Sequence, residues 1–420
     1  MPPLQIVASP VRDLLLPSAS SAARRIFVKC DELAQLVAPC SGVRSGITGV
    51  KARKLAALAS QRTFPRHIVS HGGCQSNMML ALARLVRARD ADAQLHYCCP
   101  RPPTWLARTP RGNFAQLQSL ERQGRARVHT LPHKTYASIF APGGSCAPPI
   151  PARSAATSVD DRDYTALGAI LGLPDLRPMA DVGWAGADNV SIEKAAPRSL
   201  FVPQGGAFAG AQAGVSQLGD EILAWWHARC DSSRRLEVFV AAGTGTTALM
   251  LARHFARHCP EATSQVHVVA VPCVGGENVL TAQIDALART LPELETSKHA
   301  SLVTKPFIVP APELASRTFA APCAHVARAW VEMLELGITA DLIYAPVGWL
   351  ALRRRAAELD AQQCHEGNVD IMFLNCGGWD GVWSQLERYE RQDEGTATAA
   401  RAGAALAAAA GRRLAHDLCT

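Results

Sequence analysis

Along the chain, short unbroken apolar runs alternate with longer stretches whose apolar residues recur every three or four positions. The runs beginning at Arg25, His67, Leu95, Ala126, Ser199, Leu236, Val266, Leu302 and Val369 are rich enough in β-branched and aromatic residues for buried strands. Helical spacing follows at 48–58, after Asn77, at 113–123, 164–171, up to Trp226, and at 248–256, 277–291, 326–336 and 349–358. This alternation predicts parallel sheets wound with helices, an α/β fold. Ala340–Gly348 reads as a strand or turn. The Pro-, Gly- and Ser-rich stretch 141–161 reads as a surface insertion, and the alanine-dominated segment beyond Gln392 as a peripheral helix or frayed tail.

Composition narrows the class. The 420 residues are 48% hydrophobic and 19% charged, with no run of membrane-spanning length, which points to a soluble globular protein large enough for two domains. The net charge of +7 is spread over scattered arginines, so neither a nucleic-acid nor a membrane partner is expected. The 13 cysteines are dispersed and lack a CxxC pair, which favours a reducing, cytoplasmic setting over a disulfide framework or a zinc site. A Ser-, Ala- and Arg-rich leader leaves organelle targeting open, although Asp13 and the early prolines argue against it.

The chemistry gathers at strand ends. Leu236–Leu251 is an apolar strand that breaks at Gly243-Thr244-Gly245-Thr246-Thr247 and restarts as a helix. Two glycines let the backbone approach an anion, three hydroxyls add donors, and the helix start adds partial positive charge, so the stretch is a candidate phosphate cradle. Lys51 falls in the first turn of the helix that Thr48 could cap, an odd place for a cation. The plain reading is a solvated lysine; the chemical one is an amine nucleophile, crowded by Arg53, Lys54 and the helix end, that condenses with an aldehyde. Gly72-Gly73-Cys74-Gln75-Ser76-Asn77 repeats the strand, glycine turn and helix pattern; Ser76 or Asn77 could be an ordinary N-cap or could meet a ligand. Glycine turns near 72, 205, 243 and 377 suit one shared ligand.

Taken in order, Val28-Lys-Cys-Asp-Glu32, Gly49-Val-Lys-Ala-Arg-Lys-Leu55, Gly72–Asn77, Gly243–Thr247, Asp341-Leu-Ile-Tyr344 and Asn375-Cys-Gly-Gly378 resemble the motifs of the 1-aminocyclopropane-1-carboxylate (ACC) deaminase/D-cysteine desulfhydrase family. These are pyridoxal 5′-phosphate (PLP) enzymes of fold type II, the tryptophan-synthase-β-like fold. The resemblance implies two open twisted sheets flanked by helices, with residues 1–53 and 199–420 in a large PLP-binding domain and 54–198 in a small one, assembled as a homodimer. It implies that Lys51 holds PLP through its amine and later shuttles a proton, that Asn77 bonds the cofactor 3′-oxygen, and that Ser76 meets the substrate carboxylate or assists proton transfer. Gly243, Thr244, Gly245, Thr246 and Thr247 would hold the phosphate, and Tyr344 would lie against cofactor or substrate.

The departures steer the choice of reaction. Val50 stands where the family has Asn, Cys30 where it usually has Arg, and Phe319 where it has a second tyrosine. The deaminase branch carries Glu after the tyrosine; here this is Ala345. Cys376 resembles the neutral Ser, Thr or Cys of PLP enzymes that run β-elimination, although a small core residue is the commoner fate of a cysteine. The expected activity is therefore β-elimination from a small amino acid such as D-cysteine, giving pyruvate and ammonia. ACC ring opening and a non-catalytic PLP-binding homologue are the alternatives. A dinucleotide fingerprint at Gly243–Ala248 is disfavoured because no acid ends the following strand before Glu277.

Overall fold

The computed structural model describes residues 4–16, 24–38, 44–90, 92–140, 164–178, 198–229, 234–258, 266–291, 304–314, 317–361 and 369–419, and the expected 141–161 insertion lies outside them. A six-stranded sheet runs in the order β13 (Phe307–Ile308), β12 (Val266–Pro272), β11 (Arg235–Ala242), β14 (Val369–Leu374), β3 (Arg24–Lys29), β2 (Val11–Leu16). All its neighbours are parallel except the edge strand β2, which is antiparallel to β3. A second, all-parallel sheet of five strands has the order β8 (Ala126–Leu131), β7 (Gln94–Pro100), β6 (His67–His71), β10 (Ser199–Val202), β9 (Leu176–Pro178). A small antiparallel sheet, β1 (Gln5–Val7), β4 (Gln35–Val37) and β5 (Arg44–Thr48), is additional to the two expected.

The unbroken apolar runs are explained by burial on both faces. In β11, Val238 and Val240 join one core cluster, with the helices Ala211–His227 and Thr246–His258, while Phe239 joins another on the opposite face, with Ala324–Glu335 and Ala345–Ala361.

Several sequence expectations change. Ser199–Val202, placed at the head of the large domain, pairs with β6 and β9 in the five-stranded sheet. The helix Gly49–Ala59 is unbroken across the boundary drawn at 53, and its N-cap Thr48 makes no side-chain capping bond. In the run expected from Leu302, of which the described residues begin at 304, the strand is Phe307–Ile308, between Pro306 and Pro310, which cannot donate to a ladder. Residues 11–16 of the leader form β2 itself.

Ala345–Gly348 is not strand but the opening of the helix Ala345–Ala361, with Pro346 in the first turn, where its missing N–H is no loss. The C-terminal segment is a helix, the first of the two expected alternatives, and not a frayed tail. Asp393 caps a helix over Glu394–Asp417 and accepts from the Thr396 N–H at 3.0 Å, and Ala397, Ala400, Gly403, Ala407, Ala410 and Leu414 form its buried stripe. Small residues are required there: a Cβ on Gly403 would lie 2.5 Å from the ring of Trp330. Among the described residues, no helix is long and apolar enough to cross a membrane.

Candidate active site

The strand ends of the two large sheets open on one cavity of about 540 Å³, and it is lined by every residue singled out from the sequence: Lys51, Ser76, Asn77, Gly243–Thr247, Tyr344 and Cys376. Its first wall is built from backbone. Gly49 has φ +69°, and a Cβ there would sit 2.3 Å from the Cys376 carbonyl oxygen. The Val50 N–H donates to that same carbonyl at 3.3 Å, which ties the start of the Lys51 helix to the end of β14. Gly245 has φ +70°, and a Cβ on it would meet Ile284 at 2.5 Å, so the cradle can take this path only with glycine. Thr244 and Thr246 share a hydroxyl hydrogen bond of 2.8 Å, and the helix beginning at Thr246 points its N-terminus at the turn.

The three basic residues near the start of the Gly49–Ala59 helix have different environments. Arg53 does not crowd Lys51. Its guanidinium, fully buried, bonds Asp31 at 2.8 Å and Glu221 at 2.6 Å, and Lys29 completes the cluster on Glu221 at 2.6 Å. Burial alone would raise the Glu221 carboxyl, but the hydrogen bonds and positive charges of Arg53 and Lys29 outweigh it and hold that carboxyl below its ordinary range. Asp31 and Glu32 are buried, and burial pushes the Glu32 carboxyl up to about 8.

Lys54 faces the cavity beside Lys51 and donates to the Gly205 carbonyl at 3.0 Å. Burial, reinforced by the Lys51 charge, pulls it down to about 7. Because a Cβ on Gly205 would lie 2.8 Å from Thr244, the Lys54 amine is anchored to the turn that packs on the cradle. Sequence reasoning treated Lys54 only as a neighbour of Lys51, although a spacing of three residues places both on one helix face.

The second wall is made of side chains. Ser76 is the N-cap of the helix Asn77–Arg89 and accepts the Met79 N–H at 3.3 Å, so the capping role holds, and its hydroxyl also meets the Tyr97 phenol. Asn77 accepts from the Asn113 amide at 2.8 Å, and its amide nitrogen lies over Gly378, where a Cβ would come within 2.8 Å. Tyr344 packs its ring against Gly243 and stands 5.5 Å from Phe319, centroid to centroid. Burial pushes its phenol up, so it stays protonated. Cys376 donates to the Leu374 carbonyl at 3.7 Å, and burial pushes its thiol up to about 12.

Asp341 was quoted only as part of a motif, yet it fixes Tyr344. Its carboxylate accepts the N–H groups of Ile343 at 2.7 Å, Tyr344 at 2.6 Å and Ala345 at 3.3 Å. An acid just ahead of an Ala-Pro helix start was the available signal. Ser384, Gln385 and Arg388, on the helix Val382–Tyr389, close the wall, and no sequence motif pointed to them.

No protein-family model matches the sequence, and no curated protein matches it. Among solved structures, the chain is similar to an O-ureido-L-serine synthase (13% identity, TM-score 0.48, 92% of this chain and 94% of that one). It is also similar to a fungal L-serine ammonia-lyase from Rhizomucor miehei (16% identity, TM-score 0.48, 93% of this chain and 99% of that one). The similarity to an ACC deaminase homologue covers 92% of this chain and 96% of that one, with TM-score 0.54 at 14% identity. The architecture is therefore the tryptophan-synthase-β-like fold that the ordered motifs implied.

Proposed function

We propose that the chain is a PLP-dependent lyase or deaminase that eliminates the β-substituent of a small amino acid and releases pyruvate and ammonia. One observation carries this reading: the Lys51 amine and the glycine–threonine cradle share one cavity, although almost 200 residues of sequence lie between them. The residues present fit PLP. A backbone cradle that a Cβ would fill, a helix N-terminus and the Lys54 amine suit a phosphate, and the Lys51 amine suits the aldehyde. When bound, the cofactor supplies an electron sink for the substrate α-carbon.

The chain supplies orientation and proton handling. Thr244, Thr246, Thr247 and Lys54 hold the phosphate, Asn77 orients the ring through the 3′-oxygen, and Lys51 moves the α-proton. Ser76 would turn its hydroxyl to the substrate carboxylate. Tyr344, kept protonated by burial, donates to the departing group.

Elimination is favoured over ring opening by the group offered to the ring nitrogen. Cys376 is a neutral thiol committed to a backbone carbonyl. Asp341, the one carboxylate lining the cavity among the described residues, is occupied by three backbone N–H groups. A second reading, a PLP-binding protein without turnover, draws on Phe319, which puts a ring without a hydroxyl beside Tyr344.

The test is a panel of D- and L-amino acids added to PLP-loaded protein, with visible absorption and keto-acid release followed together. Pyruvate from β-substituted members such as D-cysteine is the expected result. Uptake of PLP with no keto acid from any member would favour the second reading, and failure to take up PLP would overturn both.

A further inference from the structure

The helix Val382–Tyr389 carries a cation that the reaction outlined above does not use. Arg388 lines the cavity with Ser384 and Gln385, and its one side-chain hydrogen bond among the described residues is to the Gln385 side-chain oxygen at 2.7 Å. Behind it stands Arg317, whose Nε donates to the Ala321 carbonyl at 2.6 Å and whose guanidinium also faces the neutral Tyr389 phenol. Neither guanidinium pairs with a carboxylate among the described residues, and burial together with the Arg317 charge pushes Arg388 down.

The contrast with Arg53 is direct, since that arginine sits between Asp31 and Glu221. Partly buried guanidinium groups left without a counter-charge are costly, and their planar fork matches a carboxylate or other oxyanion. Along the wall, Gly112 is wedged between Ser384 and Gln75, its would-be Cβ 2.5 Å from the Ser384 hydroxyl and 2.9 Å from the Gln75 side-chain oxygen. Arg388 therefore lies one helical turn beyond the Gln75-Ser76 turn, which the proposed reaction gives to the α-carboxylate.

We infer that Arg388, backed by Arg317 and braced by Gln385, is a subsite for a second anionic group, so that the preferred substrates are amino acids whose side chain ends in a carboxylate or another oxyanion. This rests on the proposed function and narrows it, from β-substituted amino acids in general to those with an anionic terminus.

The test measures binding by titration calorimetry of PLP-loaded protein with aspartate against asparagine and glutamate against glutamine, each as both enantiomers. These near-isosteric pairs differ in the distal charge and carry no good leaving group. The acidic member of at least one pair binds about tenfold or more tighter, as a charge-assisted hydrogen bond provides. In Arg388→Gln that ratio falls to about one, and in Arg388→Lys it is partly kept.

Equal binding of acid and amide by the wild type would overturn the subsite whatever the variants do. So would an Arg388→Gln variant that weakens acid and amide alike, which would assign Arg388 to the α-carboxylate or to the fold. A protein that takes up no PLP would overturn the proposed function and the subsite with it. Binding of amides and acids with equal affinity would overturn the subsite alone.

Discussion

The two walls of the cavity are made by different means. The wall toward the cradle is backbone: the turns at Gly49, Gly205 and Gly243–Gly245 approach so closely that a methyl group would collide with a neighbour or enter a strained conformation. The opposite wall is made of side chains, Gln75, Ser76, Phe319, Tyr344, Gln385 and Arg388, projected from separate helices and loops. A backbone wall recognises what is constant, a phosphate and a ring, and tolerates little substitution. A side-chain wall can be changed one residue at a time, as at Phe319, one of the positions where this chain departs from the motifs it resembles.

Five substitutions break or sharpen that comparison. The largest effect is expected behind the backbone wall. Arg53→Met strands Asp31 and Glu221 with Lys29 as their one cation, and removing one partner of a buried pair costs about 3–5 kcal/mol. A denaturant titration that shows a loss below about 1 kcal/mol would contradict the cluster's role. Acid sharpens the same test. Because the folded-state pKa of Glu221 is depressed, its contribution is present above the ordinary glutamate range and is lost as pH falls through the folded value. Glu221→Gln should therefore flatten acid unfolding.

On the wall itself, Gly49→Ala places a methyl group against the Cys376 carbonyl at a positive φ, and a loss of about 2–3 kcal/mol is expected with PLP uptake falling in parallel. The third effect belongs to Lys54, whose amine gains its proton as pH falls through about 7. Sulfate, which does not titrate there, should bind the cradle about tenfold tighter on the acid side, and Lys54→Met should abolish the pH dependence.

The smallest effect is on the side-chain wall. Phe319 is 42% exposed, so Phe319→Tyr should change stability by less than about 0.5 kcal/mol while restoring a hydroxyl beside Tyr344. A rise in keto-acid release with unchanged unfolding would separate the two walls cleanly. Equal losses in both would merge them.

The same division governs what could be read from the residues. Gly243–Thr247 and Lys51 were legible because backbone cradles and helix starts leave contiguous glycine, hydroxyl and capping patterns. Arg388 was not, because its position depends on how the helix Val382–Tyr389 packs beside the turn at Gly112, and no local pattern encodes a packing angle. Asp341 and the C-terminal helix lie between these cases. Asp341 sits ahead of an Ala-Pro helix start, and residues 397, 400, 403, 407, 410 and 414 have the three- and four-residue spacing of a buried face. Alanine abundance concealed that stripe, since its small residues fit against Trp330 where larger ones could not. That Ser199–Val202 pairs in the five-stranded sheet was not legible, because a buried parallel strand reads the same in either sheet.

The central claim is that the cradle wall holds PLP through Lys51, and Lys54 is the built-in competitor: a second amine in the same cavity, pulled down to about 7 and so partly neutral. The most direct measurement is to incubate the protein with PLP, reduce it with borohydride, and locate the cofactor by peptide mass mapping. Attachment at Lys51, lost in Lys51→Ala while the fold is retained, is the result predicted. Attachment at Lys54 with Lys51 unmodified, or no attachment at all, would contradict it.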